Sequence, residues 1–468
     1  MAHPNRAAEL AAGLLPTTLV DGETARRPLA ERMAHHNVPG ISVAVIEDDE
    51  IAWAEGFGTQ EAGKDDPVKA DTLFAGASIS KPVTALLALQ LVEQGRLDLD
   101  TNVNDQLKSW KLPENEFTRE QPVTLRHLLS HRAGTTVHGF GGIMATPTIF
   151  DTLEGRPPAK NAPVRVNKIP GGVRRYSGGG TTIAQLMIEE ASGTPYAVLA
   201  EERVFKPLGM TRSSFVQPLP PDLLALTSRG HNEDGSVIAG NYSWCPQLGA
   251  GGIYTTAPDY ARFMIACRAA WLGKANPLLG PDLAREMMTP GAIDGQGLGW
   301  RIMGSAPNQR FAHGGSCQGY QCQTTGFLER GQGIVVLTNA VGGLNFYWEV
   351  MSTIADMYGW QGYAPAPKRV VPMSPTEMER FVGTYAIVSG VDAPHLKMWI
   401  EDGKLYSELA GMRGGAREVR MGDDGRGFNG TTPSESIYEY GPDGRVVSIS
   451  VVESGVTEII RAERALSP

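Results

Sequence analysis

Residues 79–94 constrain the fold more than any other stretch. They contain no glycine, are largely apolar through the middle, and are followed by Gly95 as a stop signal. A helix that apolar belongs in an interior, so other elements must enclose it and the chain must build a layered fold. Pro82 is tolerable only in the first helical turn, where N–H groups lack partners anyway. Ser78 therefore falls at or just before the helix N-terminus, and Lys81, three residues on, faces the same side. A hydroxyl set beside free N–H groups and an amine that can lose its proton when buried can become a nucleophile. The plainer reading makes Ser78 a helix cap and Lys81 a solvated side chain, but an exposed lysine belongs poorly on such a helix. Of the twelve lysines, only Lys81 has a serine three residues before it.

Two further segments carry chemistry. Pro170-Gly-Gly-Val-Arg-Arg-Tyr176-Ser-Gly-Gly-Gly180 holds one tyrosine between glycines, with a helix signal over residues 181–192 and Gly193 as its stop. Arg174 and Arg175 are close in sequence, and positive charge favours phenolate, the form a general base needs. The alternative is a turn tyrosine packed on the surface. In His313-Gly314-Gly315-Ser316, two glycines follow a histidine on an expected strand, where a ligand can approach backbone closely. An N–H from that strand and the Ser78 N–H could form an oxyanion hole, and His313, neutral or cationic, could donate to an acyl substrate or its carboxylate. The alternative is a glycine bulge beside a structural histidine.

The 468 residues allow about two to four domains. Residues 41–46 and 51–55 read as a hairpin around Glu47-Asp-Asp-Glu50, most simply a solvated tip, residues 334–338 as a buried strand, and residues 346–358 as a helix. Strands at both ends with helices between predict an antiparallel α/β (α+β) layer architecture. Residues 363–375 carry four prolines and read as a linker. Beyond them, a short helix signal at 376–381 precedes strand-like segments at 396–400, 405–409, 436–440, 446–452 and 456–460. Asp-Gly turns punctuate them, which predicts a small antiparallel sheet or β-barrel. The expected domains are thus residues 1–362 and 376–468.

A net charge of −9 argues against a nucleic-acid binder and, weakly, against an anionic membrane surface. No apolar run approaches the ~20 residues a membrane helix needs, and residues 1–10 lack the apolar core of a secretory signal. Four cysteines do not make a disulfide scaffold and read as thiols in a reducing compartment, the cytosol fitting best.

Taken together, the three motifs resemble the β-lactamase-like serine hydrolases: class C β-lactamases, penicillin-binding DD-peptidases, related esterases and D-aminopeptidases. That family carries S-x-x-K, then Y-x-N or a variant, then K-T-G or H-x-G. Here the order is Ser78–Lys81, Tyr176-Ser-Gly178 and His313-Gly-Gly315. Pro39-Gly-Ile-Ser-Val-Ala-Val-Ile46, His127-Leu-Leu-Ser-His131 and Gly249-Ala-Gly-Gly252 look like the family too, and the likeness covers roughly residues 20–360. It implies an antiparallel sheet flanked by helices with an all-helical subdomain. The tail, with Phe381-Val-Gly-Thr-Tyr385, looks like the lipocalin-like barrel that follows this domain in some relatives.

The resemblance also implies roles. Ser78 would be the nucleophile, Lys81 and Tyr176 would shuttle its proton with Tyr176 as base, and the N–H groups of Ser78 and Ser316 would form the oxyanion hole. His313, Gly314 and Gly315 would line the substrate. Gly178 replaces the usual asparagine and His313 the usual lysine, which points away from efficient β-lactam hydrolysis. The expected activity is carboxylesterase on small acyl esters with at most weak β-lactam turnover. The rivals are a D-aminopeptidase-like peptidase, a peptide thioesterase or cyclase, and a non-catalytic binder on the same fold. No cofactor or metal is expected. His127 and His131 lack the H-E-x-x-H pattern, Cys317 and Cys322 lack a second pair, and Asp65 spoils the P-loop likeness of residues 58–64. Residues 135–163, rich in Gly and Pro, are expected to be an insertion that shapes the cleft mouth.

Overall fold

The computed structural model describes residues 5–23, 26–140, 147–275, 278–291, 294–391, 393–411, 415–453 and 457–465. Residues 1–4, residues 141–146 of the expected insertion and position 456 of an expected strand lie outside them. The chain divides into two compact units. The larger holds Ala30–Gly291 and Gln296–Tyr347, and the smaller gathers Glu9–Leu29 with the chain from Trp348 onward.

In the larger unit, strands β1 (Gly40–Glu47) and β2 (Glu50–Gly58) form the expected hairpin. Its tip places Asp48 and Asp49 at φ +53° and +65°, as a two-residue turn that matches strand twist requires. The tip is less solvated than expected, because Asp49 pairs with Arg268 and with Lys274 at 3.0 Å. Strand β3 (Phe74–Ala77) pairs with β4 (Ile253–Thr255). Strands β5 (Arg301–Met303), β6 (Arg310–Cys317), β7 (Tyr320–Phe327) and β8 (Gly333–Thr338) complete a six-stranded sheet in the order β2-β1-β8-β7-β6-β5. The pairing of β1 with β8 joins the two ends of the unit, and every pair in the sheet is antiparallel.

The helix expected over 79–94 is Ser80–Glu93, buried without a break from Ser80 to Leu91. Gly95, at φ +67°, ends it. Around it pack the helices Gly178–Ser192 and Leu248–Gly251, and one continuous core runs from Ala44 to Leu337. The fold is the β-lactamase/transpeptidase-like one that the motifs imply.

The smaller unit is a ten-stranded antiparallel sheet with its own core around Phe381, Tyr385, Met398 and Ile449. It is a curled half-barrel rather than a closed barrel. Its outermost strands, Arg417–Glu418 and Val370–Val371, are too short to seal it and do not pair with each other. Within this unit Lys368 N–H donates to Leu19 O (2.9 Å), and Leu15 N–H donates to Thr353 Oγ1 (2.8 Å). Glu435 takes both Lys368 and Arg426 (2.8 Å) as partners, and these cations hold its carboxyl below the ordinary range against the opposing effect of burial. Among the described residues, no helix is long and apolar enough to cross a membrane.

Candidate active site

The turn from β3 into the Ser80–Glu93 helix is tight. Ala77 sits at φ +47°, a left-handed conformation that an L-residue rarely adopts, and Ile79 N–H closes the turn on Gly76 O (3.2 Å). From Thr72 to Leu91, Ser78 is the one residue that is not buried. The N-cap position of the helix falls to Ile79, so Ser78 stands one residue before it. Lys81 Nζ donates to Ser78 Oγ at 3.0 Å and to Ala250 O at 2.7 Å. Lys81 is 4% exposed, so the solvated-lysine alternative does not hold. Ser80 carries the neighbouring structure: its Oγ donates to Ala77 O (2.7 Å) and accepts from Ile253 N–H (3.0 Å), tying the turn to β4.

Tyr176 comes to the same place. Lys81 Nζ lies 4.7 Å from the centre of its ring and Arg174 Cζ 6.0 Å. Three imidazoles surround the phenol, with ring centres at 4.3 Å (His131), 4.9 Å (His138) and 6.3 Å (His313). Ser177 N-caps the helix that follows, accepting from Gly180 N–H (2.9 Å), so the helix starts inside the glycine triplet, three residues before its expected start. Gly178 has a local reason: a Cβ there would meet Phe140 Cε2 at 3.1 Å and His138 O at 3.2 Å, so the 134–140 loop fills the space an asparagine would need. His131 lies past the short helix Leu125–Leu129 in a left-handed turn at φ +57°, so it does not continue the helix that carries His127. Among the described residues, no group of three His, Cys, Asp or Glu could hold a metal ion.

Strand β6 supplies the third wall. A Cβ on Gly315 would stand 2.1 Å from Gly76 O and 2.4 Å from Cys322 Sγ, so β6 lies backbone to backbone against β3, two residues before Ser78. Cys322 Sγ–H donates to the same Gly76 carbonyl at 3.2 Å. Ser316 follows and is exposed. His313 is buried, and its Nδ1 lies 2.7 Å from Gly314 O. A carbonyl only accepts, so Nδ1 carries the proton and Nε2 presents a lone pair. Burial, reinforced by the Lys81 charge, pushes its pKa down to about 3. His313 is thus neutral, one of the two states expected, and its Nε2 presents an acceptor where a donor was expected.

All three motifs therefore meet around one point. The sequence reading overlooked four contributors: the Ala250 carbonyl on Lys81, the His131 and His138 rings on Tyr176, and the Cys322 thiol under β6. Ala250 and His131 stood in stretches already marked as family-like, His138 in the expected cleft-mouth insertion and Cys322 among the cysteines weighed, but nothing local gave any of them its role. All four cysteines are free thiols. Cys245, beside Gly251, is pushed up to about 12 by burial, which makes it a poor nucleophile.

Residues 25–347 match the Beta-lactamase family. Penicillin-binding protein 4* of Bacillus subtilis is 25% identical over 398 residues, covering 79% of this chain and 84% of that one. Esterase EstB of Burkholderia gladioli is 27% identical over 305 residues, covering 58% and 75%. D-alanyl-D-alanine-carboxypeptidase/endopeptidase AmpH of Escherichia coli is 25% identical over 296 residues, covering 59% and 73%. Among solved structures, the octameric penicillin-binding protein homologue from Pyrococcus abyssi superposes with a TM-score of 0.58 at 21% identity, covering 93% of this chain and 98% of that one. A match across most of the larger unit, with the three motifs gathered at one site, places this chain in the Beta-lactamase family of serine hydrolases.

Proposed function

We infer that the protein is a carboxylesterase that cleaves small acyl esters through an acyl-enzyme on Ser78. The observation that carries this reading is the buried Lys81 ammonium donating to the oxygen of the one accessible residue at the start of an enclosed helix. Ser78 Oγ attacks the ester carbonyl while its proton passes to Tyr176, which acts as phenolate beside the Lys81 ammonium. The oxyanion is held by the N–H groups of Ser78 and Ser316. The C–O bond to the alcohol then breaks, and the leaving alkoxide takes the proton back. Water repeats the sequence on the acyl-enzyme and frees the acid. His313 Nε2, with Gly314 and Gly315, accepts a hydrogen bond from a donor on the substrate.

Amide chemistry is the second reading, favoured by the peptidase among the relatives. The formal charges that bear most on His131 and His313 are all cationic, namely Lys81, Arg174 and Arg301. A substrate ammonium would meet like charge there, so esters of neutral or anionic acyl groups are the better fit than D-aminoacyl amides. The substrate is a small molecule, neither nucleic acid nor membrane, and the four free thiols fit work in the cytosol. A fluorophosphonate probe followed by peptide mass spectrometry tests the acyl-enzyme. Label is expected on Ser78 and absent from Ser78→Ala, which keeps its fold and loses p-nitrophenyl ester turnover. An unlabelled Ser78 would make the protein a binder, and faster turnover of D-aminoacyl anilides than of esters would make it a peptidase.

A further inference from the structure

We propose that His131 is a positioning residue that sets Tyr176 for proton transfer by gripping the backbone on both sides of it and closing one face of its ring. The inference rests on the reading of Tyr176 as proton acceptor. His131 O accepts from Arg175 N–H (2.8 Å), and His131 Nδ1 accepts from Ser177 N–H (3.2 Å). Between these two anchors the imidazole stands 4.3 Å from the phenol ring, centre to centre, at a 40° tilt. One residue thus fixes positions 175 and 177 and packs on 176. Downstream, Ser177 Oγ donates to Thr136 O (2.7 Å) and caps the following helix. The phenol therefore hangs from a clamped turn, and its hydroxyl has no hydrogen-bond partner of its own among the described residues.

Three features argue that this is more than packing. His131 is held at φ +57°, which few L-residues accept, although His and Asn are among those enriched there. Its Nδ1 accepts, so the neutral ring carries its proton on Nε2, and that buried N–H has no partner among the described residues. An unpaired buried donor is a cost that an apolar residue of the same shape would avoid. Finally, burial and the nearby Arg174 and Lys81 charges keep the ring neutral, so Nδ1 stays free to accept.

A mutant cycle tests the proposal. His131→Phe keeps a ring and loses the acceptor. His131→Asn tolerates the backbone conformation and can offer an oxygen to Ser177 N–H. On a p-nitrophenyl ester, His131→Phe should lower kcat by about 100-fold with KM within about threefold, as a small misplacement of a reacting group does. His131→Asn should recover kcat to within about tenfold of wild type. In the Tyr176→Phe background, His131→Phe should cost less than about threefold, because the residue acts through Tyr176. Equal, additive losses in both backgrounds would overturn the proposal while leaving Tyr176 as base. Full activity in Tyr176→Phe alone would overturn the proposal together with the proton-acceptor reading beneath it. If His131→Phe fails to fold, judged by its melting temperature, the same cycle run with His131→Asn decides: a loss in wild type that vanishes in Tyr176→Phe supports the clamp, and an additive loss refutes it.

Discussion

Adjacent glycines on β6 should respond in opposite ways to one methyl group. At Gly315 an added Cβ would stand 2.1 Å from Gly76 O and 2.4 Å from Cys322 Sγ. Ordinary contact begins near 3.4 Å, so backbone must retreat by more than about 1 Å. Neither side swings away easily, because Gly315 is paired with Cys322 of β7 and the Gly76 carbonyl closes the β3 turn. Overpacking of this kind costs about 1–3 kcal/mol of stability. A shift of about 1 Å between β6 and Ser78 should lower kcat/KM by about 100-fold, or roughly 2.7 kcal/mol of transition-state stabilisation. At Gly314 the nearest atom is Gln323 Oε1 at 2.6 Å, the far end of a flexible side chain, and the next is at 3.5 Å. Gly314→Ala should therefore keep kcat/KM within about fivefold, since a side-chain rotamer can absorb the clash. Ester kinetics and urea unfolding on the two variants make the comparison. If Gly315→Ala keeps wild-type kcat/KM, or the two variants lose activity equally, the close registry of β6 against β3 is not what sets the site.

Two further outcomes follow from charge and burial. His313, with its pKa depressed to about 3, binds no proton in the native state at pH 5, whereas the unfolded chain does near its ordinary value of 6.5. Native stability should thus be fully present above pH 6.5 and fall as pH drops toward 3, by up to about 1.4 kcal/mol per pH unit from this group. His313→Asn should flatten the urea-midpoint profile between pH 6 and pH 4, and an unchanged slope would count against the burial argument. In the smaller unit, Lys368→Ala removes one of the two cations on Glu435, whose side chain is 17% exposed. With Arg426 left as partner, the loss should be about 1–2 kcal/mol, below that of a fully orphaned buried charge, as read from calorimetric unfolding. Stabilisation by Lys368→Ala would show that the pair is not needed.

The local signals in the chain were read well where one segment decides its own state. The glycine-free run became the buried helix Ser80–Glu93, and the proline at its start fell in the first turn, where it costs no hydrogen bond. The strand expected over 334–338 is β8 and the helix over 346–358 is Gly343–Met357, each within a few residues of its expected ends. Harder was anything decided by curvature. The strand pattern of the tail is the same for a closed barrel and a half-barrel, and the difference lies in outer strands of two residues that no periodicity reveals. The helix after Tyr176 began early because Ser177 caps it, and that cap depends on a loop from elsewhere holding the serine in place.

The site was legible as three motifs and illegible as a mechanism for aligning them, because alignment comes from segments remote in sequence. Gly76 and Gly315 illustrate this. Each looks like a turn or bulge glycine in isolation, yet Gly315 lets β6 touch the Gly76 carbonyl where a Cβ would intrude, and a Cβ on Gly76 would meet the side chains of Ile253 and Ile79 at 2.7–2.8 Å. Contact at that range leaves little play, so β6 and the turn that carries Ser78 share one rigid reference. Tyr176 has no such reference in its own glycine-rich loop, which would let it wander. In the clamp proposed above, it is His131 that restrains it, with its carbonyl holding Arg175 N–H and its imidazole Nδ1 holding Ser177 N–H against what the glycines loosen. The chain thus combines glycines that permit close approach with one histidine that restrains the loop they free. That pairing reconciles a loop so rich in glycine with the placement within about 0.5 Å that the proposed role of Tyr176 demands.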